Sequence, residues 1–174
     1  MKQLVLGGAR SGKSRYGEQW VLAQAASTQA VPTYVATADW EGSDAEMRAR
    51  IQRHRQDRAN EWQCREEPLF LSQLLCDLHT KDGPILIDCL TLWLSNCLMA
   101  DCWSSERDAF VNAFTDTDAD VTLVSNEVGL GVVPMGKLSR RFVDESGFLH
   151  QVLAAQCDRV VFCAAGLPLV MKGE

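Results

Sequence analysis

Residues 4–20 read LVLGGARSGKSRYGEQW. Three apolar residues, Leu4-Val5-Leu6, lead into Gly7-Gly8-Ala9-Arg10-Ser11-Gly12-Lys13-Ser14, which fits the pattern G-x-x-x-x-G-K-[ST]. A strand that ends in a glycine-rich turn and opens a helix gathers backbone N–H groups around an anion, with the helix's positive end behind them. Gly7, Gly8, Ala9, Arg10, Ser11 and Gly12 are therefore expected to cradle nucleotide phosphates. Lys13 reaches the outer phosphates as a catalytic cation, and the Ser14 hydroxyl offers a ligand to Mg²⁺.

Outward from this loop, short apolar runs alternate with helical stretches. Leu4–Leu6, Thr33–Ala36, Ile85–Ile87, Val121–Val124 and Arg159–Phe162 read as buried parallel strands. Helices are expected at 13–27, 44–58, 69–80, 90–114 and 136–156, the second opened by the capping box Ser43-Asp44-Ala45-Glu46. The alternation predicts an α/β fold of three layers, P-loop NTPase-like, with a mostly parallel sheet and right-handed crossovers. Leu167–Met171 follows Gly166 too closely for a crossover helix and reads as an antiparallel C-terminal edge strand. No repeat, low-complexity tract or linker divides the 174 residues, so residues 1–174 are expected to form one nucleotide-binding catalytic domain.

A hydrophobic share of 47%, a charged share of 23% and mean hydropathy −0.10 describe an ordinary globular chain. The net charge of −6 argues against a nucleic-acid partner, which would want a basic face. A local anion site remains compatible with it, because screening makes near charges outweigh the global sum. The seven cysteines show neither C-x-x-C nor zinc spacing, and their odd number points to buried free thiols in a reducing cytoplasm. The first apolar run is broken at Gly7-Gly8, so neither an export signal nor a membrane span is expected.

Three further features bear on chemistry. Asp88 ends the run Ile85-Leu86-Ile87, where a carboxylate either caps the next helix or meets Mg²⁺ directly or through water; beside a phosphate loop the second is favoured. The stretch EMRARIQRHRQDR (46–58) places five arginines around a single histidine, His54. Alone it reads as a solvated basic helix; in a phosphate-loop protein it reads as a lid or clamp. Neutral imidazole is a competent nucleophile toward phosphorus, and flanking arginines favour the neutral form. Finally, NEVGLGVVP (126–134) follows a strand at the ligand edge, where Asn126 and Glu127 would meet substrate and Gly129 and Gly131 would let backbone approach it, or where the glycines merely form a turn before Pro134.

Taken in order, GGARSGKSR, Ala36-Thr37-Ala38, EMRARIQRHRQDR, Trp62 with Glu66, LIDCLTLWLSN, NEVGLGVVP and RRFVDESGFLHQVLA resemble the bifunctional adenosylcobinamide kinase/adenosylcobinamide-phosphate guanylyltransferase family of cobalamin biosynthesis over nearly the whole chain. The resemblance implies two reactions: phosphorylation of adenosylcobinamide by ATP or GTP, then transfer of GMP from GTP to adenosylcobinamide phosphate through a guanylylated histidine, releasing pyrophosphate. It implies that His54 carries the GMP and that Ala36, Thr37, Ala38, Arg55, Gln56, Asp57, Arg58, Glu66 and Asp88 join the phosphate loop in binding nucleotide. It also implies a homotrimer. Gln56-Asp57 and His150 depart from the family pattern. Guanine preference rests on the resemblance alone, since no Asn-Lys-x-Asp motif occurs. Two alternatives from other classes share the loop: a generic small-molecule kinase without guanylyl transfer, and a nucleotide-dependent regulatory binding module.

Overall fold

The computed structural model describes residues 1–38, 61–78 and 83–173, and the structural statements below concern these. The elements run β1 (Lys2–Gly7), α1 (Lys13–Thr28), β2 (Thr33–Ala36), β3 (Gln63–Glu66), α2 (Leu71–Asp77), β4 (Ile85–Asp88), α3 (Leu90–Met99), α4 (Trp103–Asp116), β5 (Val121–Asn126), α5 (Lys137–Gln156), β6 (Arg159–Ala164) and β7 (Leu167–Lys172). One seven-stranded sheet takes the order β3-β2-β4-β5-β1-β6-β7. Neighbouring strands are parallel except β6 with β7, which form the expected antiparallel edge.

Period-two alternation sorts the strand residues onto two faces. Leu4, Leu6, Val35, Ile85, Ile87, Val121 and Leu123 join the larger cluster, against α2 to α5. Val5, Tyr34, Leu86, Val124 and Val161 point the other way and meet Val21 of α1. Gly17 lets α1 lie close on the sheet: a Cβ there would stand 3.2 Å from side-chain carbons of Leu86 and Val124. The centre of the larger cluster is aromatic. Trp93 is fully buried, with Trp103 and Phe110 ring centroids 5.2 and 4.8 Å away, and its indole N–H donates to the Leu69 carbonyl at 2.7 Å. Trp93→Ala removes the ring and leaves that carbonyl only the weak Cys97 thiol donor at 3.6 Å, so unfolding in denaturant should show a loss of about 3–5 kcal/mol.

The structure corrects the expected elements in three places. The helix expected over 90–114 is two helices: Asp101 takes φ 56°, a left-handed conformation that a short polar side chain tolerates, and the chain turns there. The periodicity hides the break because both helices bury apolar faces in the same cluster. β3 was not expected at all; its residues Gln63-Cys64-Arg65-Glu66 are exposed and carry no apolar run, and the strand exists through backbone pairing with β2. The helix expected over 69–80 occupies Leu71–Asp77. Its start is fixed by one local and one distant carboxylate: Glu67 Oε1 accepts the N–H groups of Leu69 and Phe70, and the buried Glu106 of α4 accepts the Ser72 N–H and hydroxyl.

Of the free cysteines, Cys89, Cys97, Cys157 and Cys163 are buried as expected, whereas Cys64 and Cys76 are exposed. They stand on the edge strand and on the outer side of α2. Burial pushes the Cys157 thiol up to about 12, so it stays protonated and inert. The capping box at 43–46 and the arginine-rich helix at 44–58 lie outside the described residues.

Candidate active site

β1 ends at Gly7 in mid-sheet, between β5 and β6, with Gly7 in register with Asn126 and Cys163. Parallel strands all end on the same edge, so the loop from Gly7 to Lys13 sits where open α/β sheets bind ligands. A Cβ on Gly7 would lie 2.4 Å from Ser11 Oγ and 2.5 Å from the Cys163 carbonyl, which is why the loop starts on glycine. Gly12 turns the chain into α1 at φ 93°, and a Cβ there would stand 3.0 Å from Gly166 Cα. Gly166 sits in the β6–β7 turn and donates its N–H to the Ser11 carbonyl at 2.9 Å. The loop is thus braced from behind by the C-terminal hairpin.

Lys13, the first residue of α1, is only 8% exposed. Among the described residues its ammonium makes one hydrogen bond, to the Gly8 carbonyl at 3.2 Å, and no ion pair. A buried ammonium with two donors unspent and no carboxylate calls for an anionic ligand. Ser11 Oγ, buried without a partner beside it, adds another unspent polar atom inside the cradle. Ser14 follows, half-buried on the first turn of the helix.

Across the edge from the loop, Ala36, Glu66 and Asp88 lie side by side as the last residues of β2, β3 and β4. Asp88 is half-buried, and its Oδ2 accepts the Tyr34 hydroxyl at 2.9 Å, which fixes the carboxylate. Two strand spacings, roughly 10 Å, separate β4 from β1, with β5 between. Oxygen ligands from one hydroxyl and one carboxylate suit Mg²⁺, which is otherwise held by phosphates and water rather than by an all-protein cage. The described residues contain no cluster of three His, Cys, Asp or Glu suited to a metal.

The Thr37 side chain has a different occupation: its Oγ1 donates to the Cys89 carbonyl at 2.8 Å and accepts the Cys89 N–H at 2.9 Å, joining the β2 and β4 ends. Asn96 of α3 clasps the same corner, donating to the Thr37 and Pro68 carbonyls. Ala38 is half-buried just beyond. His54, Arg55, Gln56, Asp57 and Arg58 lie outside the described residues.

At the end of β5, Asn126 donates to Thr91 Oγ1 at 3.0 Å, while the Glu127 N–H donates to the Gly7 carbonyl at 3.0 Å. Glu127 Oε1 in turn accepts the Gly129 N–H. Gly131 is exposed, in a loop whose Leu130, Val132, Val133 and Met135 also face outward. The sequence reading passed over what lies behind Glu127. His150 of α5 is 7% exposed; its Nε2 is 2.7 Å from Ser125 Oγ and its Nδ1 3.7 Å from Glu127 Oε2. Burial lowers His150 from the ordinary imidazole range, while Glu127 pulls the other way. The signal was present: residues 121, 123, 125 and 127 share one face of β5 and its continuation, the face that α5 covers.

A parallel sheet with a phosphate loop at the end of a central strand, an acidic residue closing a strand two places away and an antiparallel edge defines a P-loop NTPase-like protein. The family model described as cobinamide kinase / cobinamide phosphate guanyltransferase matches residues 3–171. The chain belongs to that family and is an enzyme. It is 47% identical over 177 residues to the bifunctional adenosylcobalamin biosynthesis protein CobP of Pseudomonas aeruginosa, covering 100% of this chain and 99% of that protein. Against the bifunctional adenosylcobalamin biosynthesis protein CobU of Escherichia coli it is 34% identical over 188 residues, covering 99% and 100%. Among solved structures, a KaiC-like protein from Pyrococcus horikoshii superposes with a TM-score of 0.48 at 14% identity, over 92% of this chain and 69% of that one.

Proposed function

We propose that this enzyme phosphorylates the aminopropanol hydroxyl of adenosylcobinamide with ATP or GTP. It then moves GMP from GTP onto the resulting phosphate by way of His54, giving adenosylcobinamide-GDP and pyrophosphate. The observation that carries this is the buried, anion-seeking Lys13 in its braced loop, in a chain of this family. One cradle serves both transfers because each needs phosphate charge neutralised: γ-phosphoryl transfer develops charge on the β–γ bridge, and guanylyl transfer expels pyrophosphate. The first step uses the substrate's own hydroxyl as nucleophile. The second uses imidazole, which attacks with its lone pair and holds GMP in a P–N bond.

In this reading Gly7 to Ser14, Ala36, Ala38, Arg55, Gln56, Asp57, Arg58, Glu66 and Asp88 contact nucleotide, and Thr37 serves that set from behind, since it is fully buried with its hydroxyl spent on Cys89, its N–H on the Asp88 carbonyl and its carbonyl on Asn96. Asn126, Glu127, Gly129 and Gly131 face the acceptor. Ser14 and Asp88 would hold Mg²⁺, which when bound shields the phosphate oxygens. Residues 1–174 act as one catalytic domain, supported by a single sheet that runs from Lys2 to Lys172. A cytoplasmic homotrimer completes the proposal; the four buried thiols suit a reducing compartment, and no described helix is long and apolar enough to cross a membrane.

Two labels test the proposal. With α-labelled GTP the protein should acquire covalent label that chases into adenosylcobinamide phosphate, and with γ-labelled ATP the label should appear on adenosylcobinamide. Phosphorylation without any protein-bound GMP would leave a plain kinase; slow hydrolysis with neither would leave a nucleotide-dependent switch.

A further inference from the structure

We propose that Glu127 accepts the proton of the acceptor hydroxyl in the phosphorylation step, and that His150, held by Ser125, is the residue that positions its carboxylate. The inference rests on the functional reading above and deepens its first reaction.

Placement comes first. β5 is the strand between β1, which ends in the phosphate loop, and β4, which ends in Asp88, so the residue just past β5 stands between the two phosphate-handling elements. Glu127 is tied to the first of them through its N–H bond to Gly7. Its side chain is 21% exposed, open enough to meet a substrate and enclosed enough to be held. The other acidic side chains mapped around this edge have different duties or places. Glu67 caps the chain before α2, Asp88 faces Tyr34, and Glu66 closes the outermost strand.

The support behind Glu127 is a buried polar chain. Ser125 is 1% exposed and His150 7%, so neither meets substrate. With Ser125 donating its hydroxyl proton to Nε2, the remaining imidazole proton sits on Nδ1, aimed at Glu127 Oε2. Among the described residues Glu127 is the charged group that acts on His150, and burial disfavours the charged imidazole. The step balances simply. The substrate oxygen bonds to the γ-phosphorus, the bond from that phosphorus to the β–γ bridging oxygen breaks, and the hydroxyl proton passes to Glu127 and then to water. Guanylylation needs no such acceptor, since a neutral imidazole attacks GTP and a phosphate already ionised takes the GMP.

The test compares wild type with Glu127→Gln, His150→Leu and His150→Asn, using adenosylcobinamide with ATP for phosphorylation and α-labelled GTP for protein guanylylation. Glu127→Gln should lower kcat for phosphorylation by about 10²–10⁴-fold with KM for ATP little changed, while protein guanylylation, which consumes no acceptor hydroxyl, falls far less and an unchanged circular dichroism spectrum certifies the fold. His150→Leu should lower the same kcat less severely, and His150→Asn, which keeps an N–H donor without titrating, should restore most of it. The acid limb of log kcat against pH should be shallower in His150→Asn than in wild type, because one ionisation has gone. Phosphorylation unimpaired in Glu127→Gln overturns the assignment of the proton acceptor. Equal loss in both His150 variants, or an unchanged acid limb, overturns the positioning role. A wild-type enzyme that phosphorylates no cobinamide overturns the functional reading itself, and is told apart by that control.

Discussion

Lys13→Ala should lower phosphorylation of adenosylcobinamide and guanylylation of the protein together, each by about 10³-fold or more. Lys13 is the buried cation of the cradle, with two donors unspent, and both reactions push negative charge onto the phosphates it would meet. The loss should appear in kcat and in nucleotide affinity, measured by rapid quench for each label and by calorimetry for binding. Far-UV circular dichroism should be unchanged, because the side chain makes no ion pair among the described residues for the fold to lose. Asp88→Asn should follow the same pattern more weakly, as Tyr34 can still hold the amide oxygen. Loss of one reaction with full retention of the other in Lys13→Ala would mean two phosphate sites, contrary to a shared cradle.

His54→Ala should divide what Lys13→Ala strikes jointly. Guanylyl transfer should fall by roughly 10⁴-fold or more, the scale of losing a nucleophile, while most phosphorylation of adenosylcobinamide survives. Among the three histidines, His54 alone stands amid a run of arginines able to steer a triphosphate. His150 is buried behind Glu127 and has no route to GTP. The wild-type adduct, a phosphoramidate, should be labile to acid and stable in mild alkali. Cleavage after glutamate should leave GMP on the peptide 47–61. Label persisting in His54→Ala, or found on Lys13, would assign the nucleophile elsewhere. This pairing with Glu127→Gln makes two single substitutions that each silence one half of a bifunctional enzyme.

The phosphate loop, the five apolar strands and Asp88 were legible because each is local: a glycine spacing, a short buried run, a carboxylate at its end. What escaped reading depends on partners far along the chain. β3 has no apolar signature since all four residues are exposed, and only the β2 backbone defines it. The α3–α4 break rests on one residue, Asp101, in a left-handed conformation that a periodic pattern does not reveal. Ser125 and His150 are twenty-five residues apart and unremarkable singly; a helix crossing the sheet turns them into a pair. Likewise nothing in RSGKS announces that Gly166 props it.

That prop has a consequence for how the enzyme comes into being. β1 lies between β5 and β6, so a strand translated among the first residues waits for its neighbours until Val121 and beyond have been made. The loop waits longer still, for Gly166. At synthesis rates of roughly 5–20 residues per second, the interval from Gly12 to Gly166 is on the order of 8–30 s. Throughout it the nascent segment holds the nucleotide motif in full yet lacks the scaffold that shapes it. Competence to bind a triphosphate therefore arrives late and all at once, and ribosome-arrested chains should capture nucleotide only after the β6–β7 turn has cleared the exit tunnel.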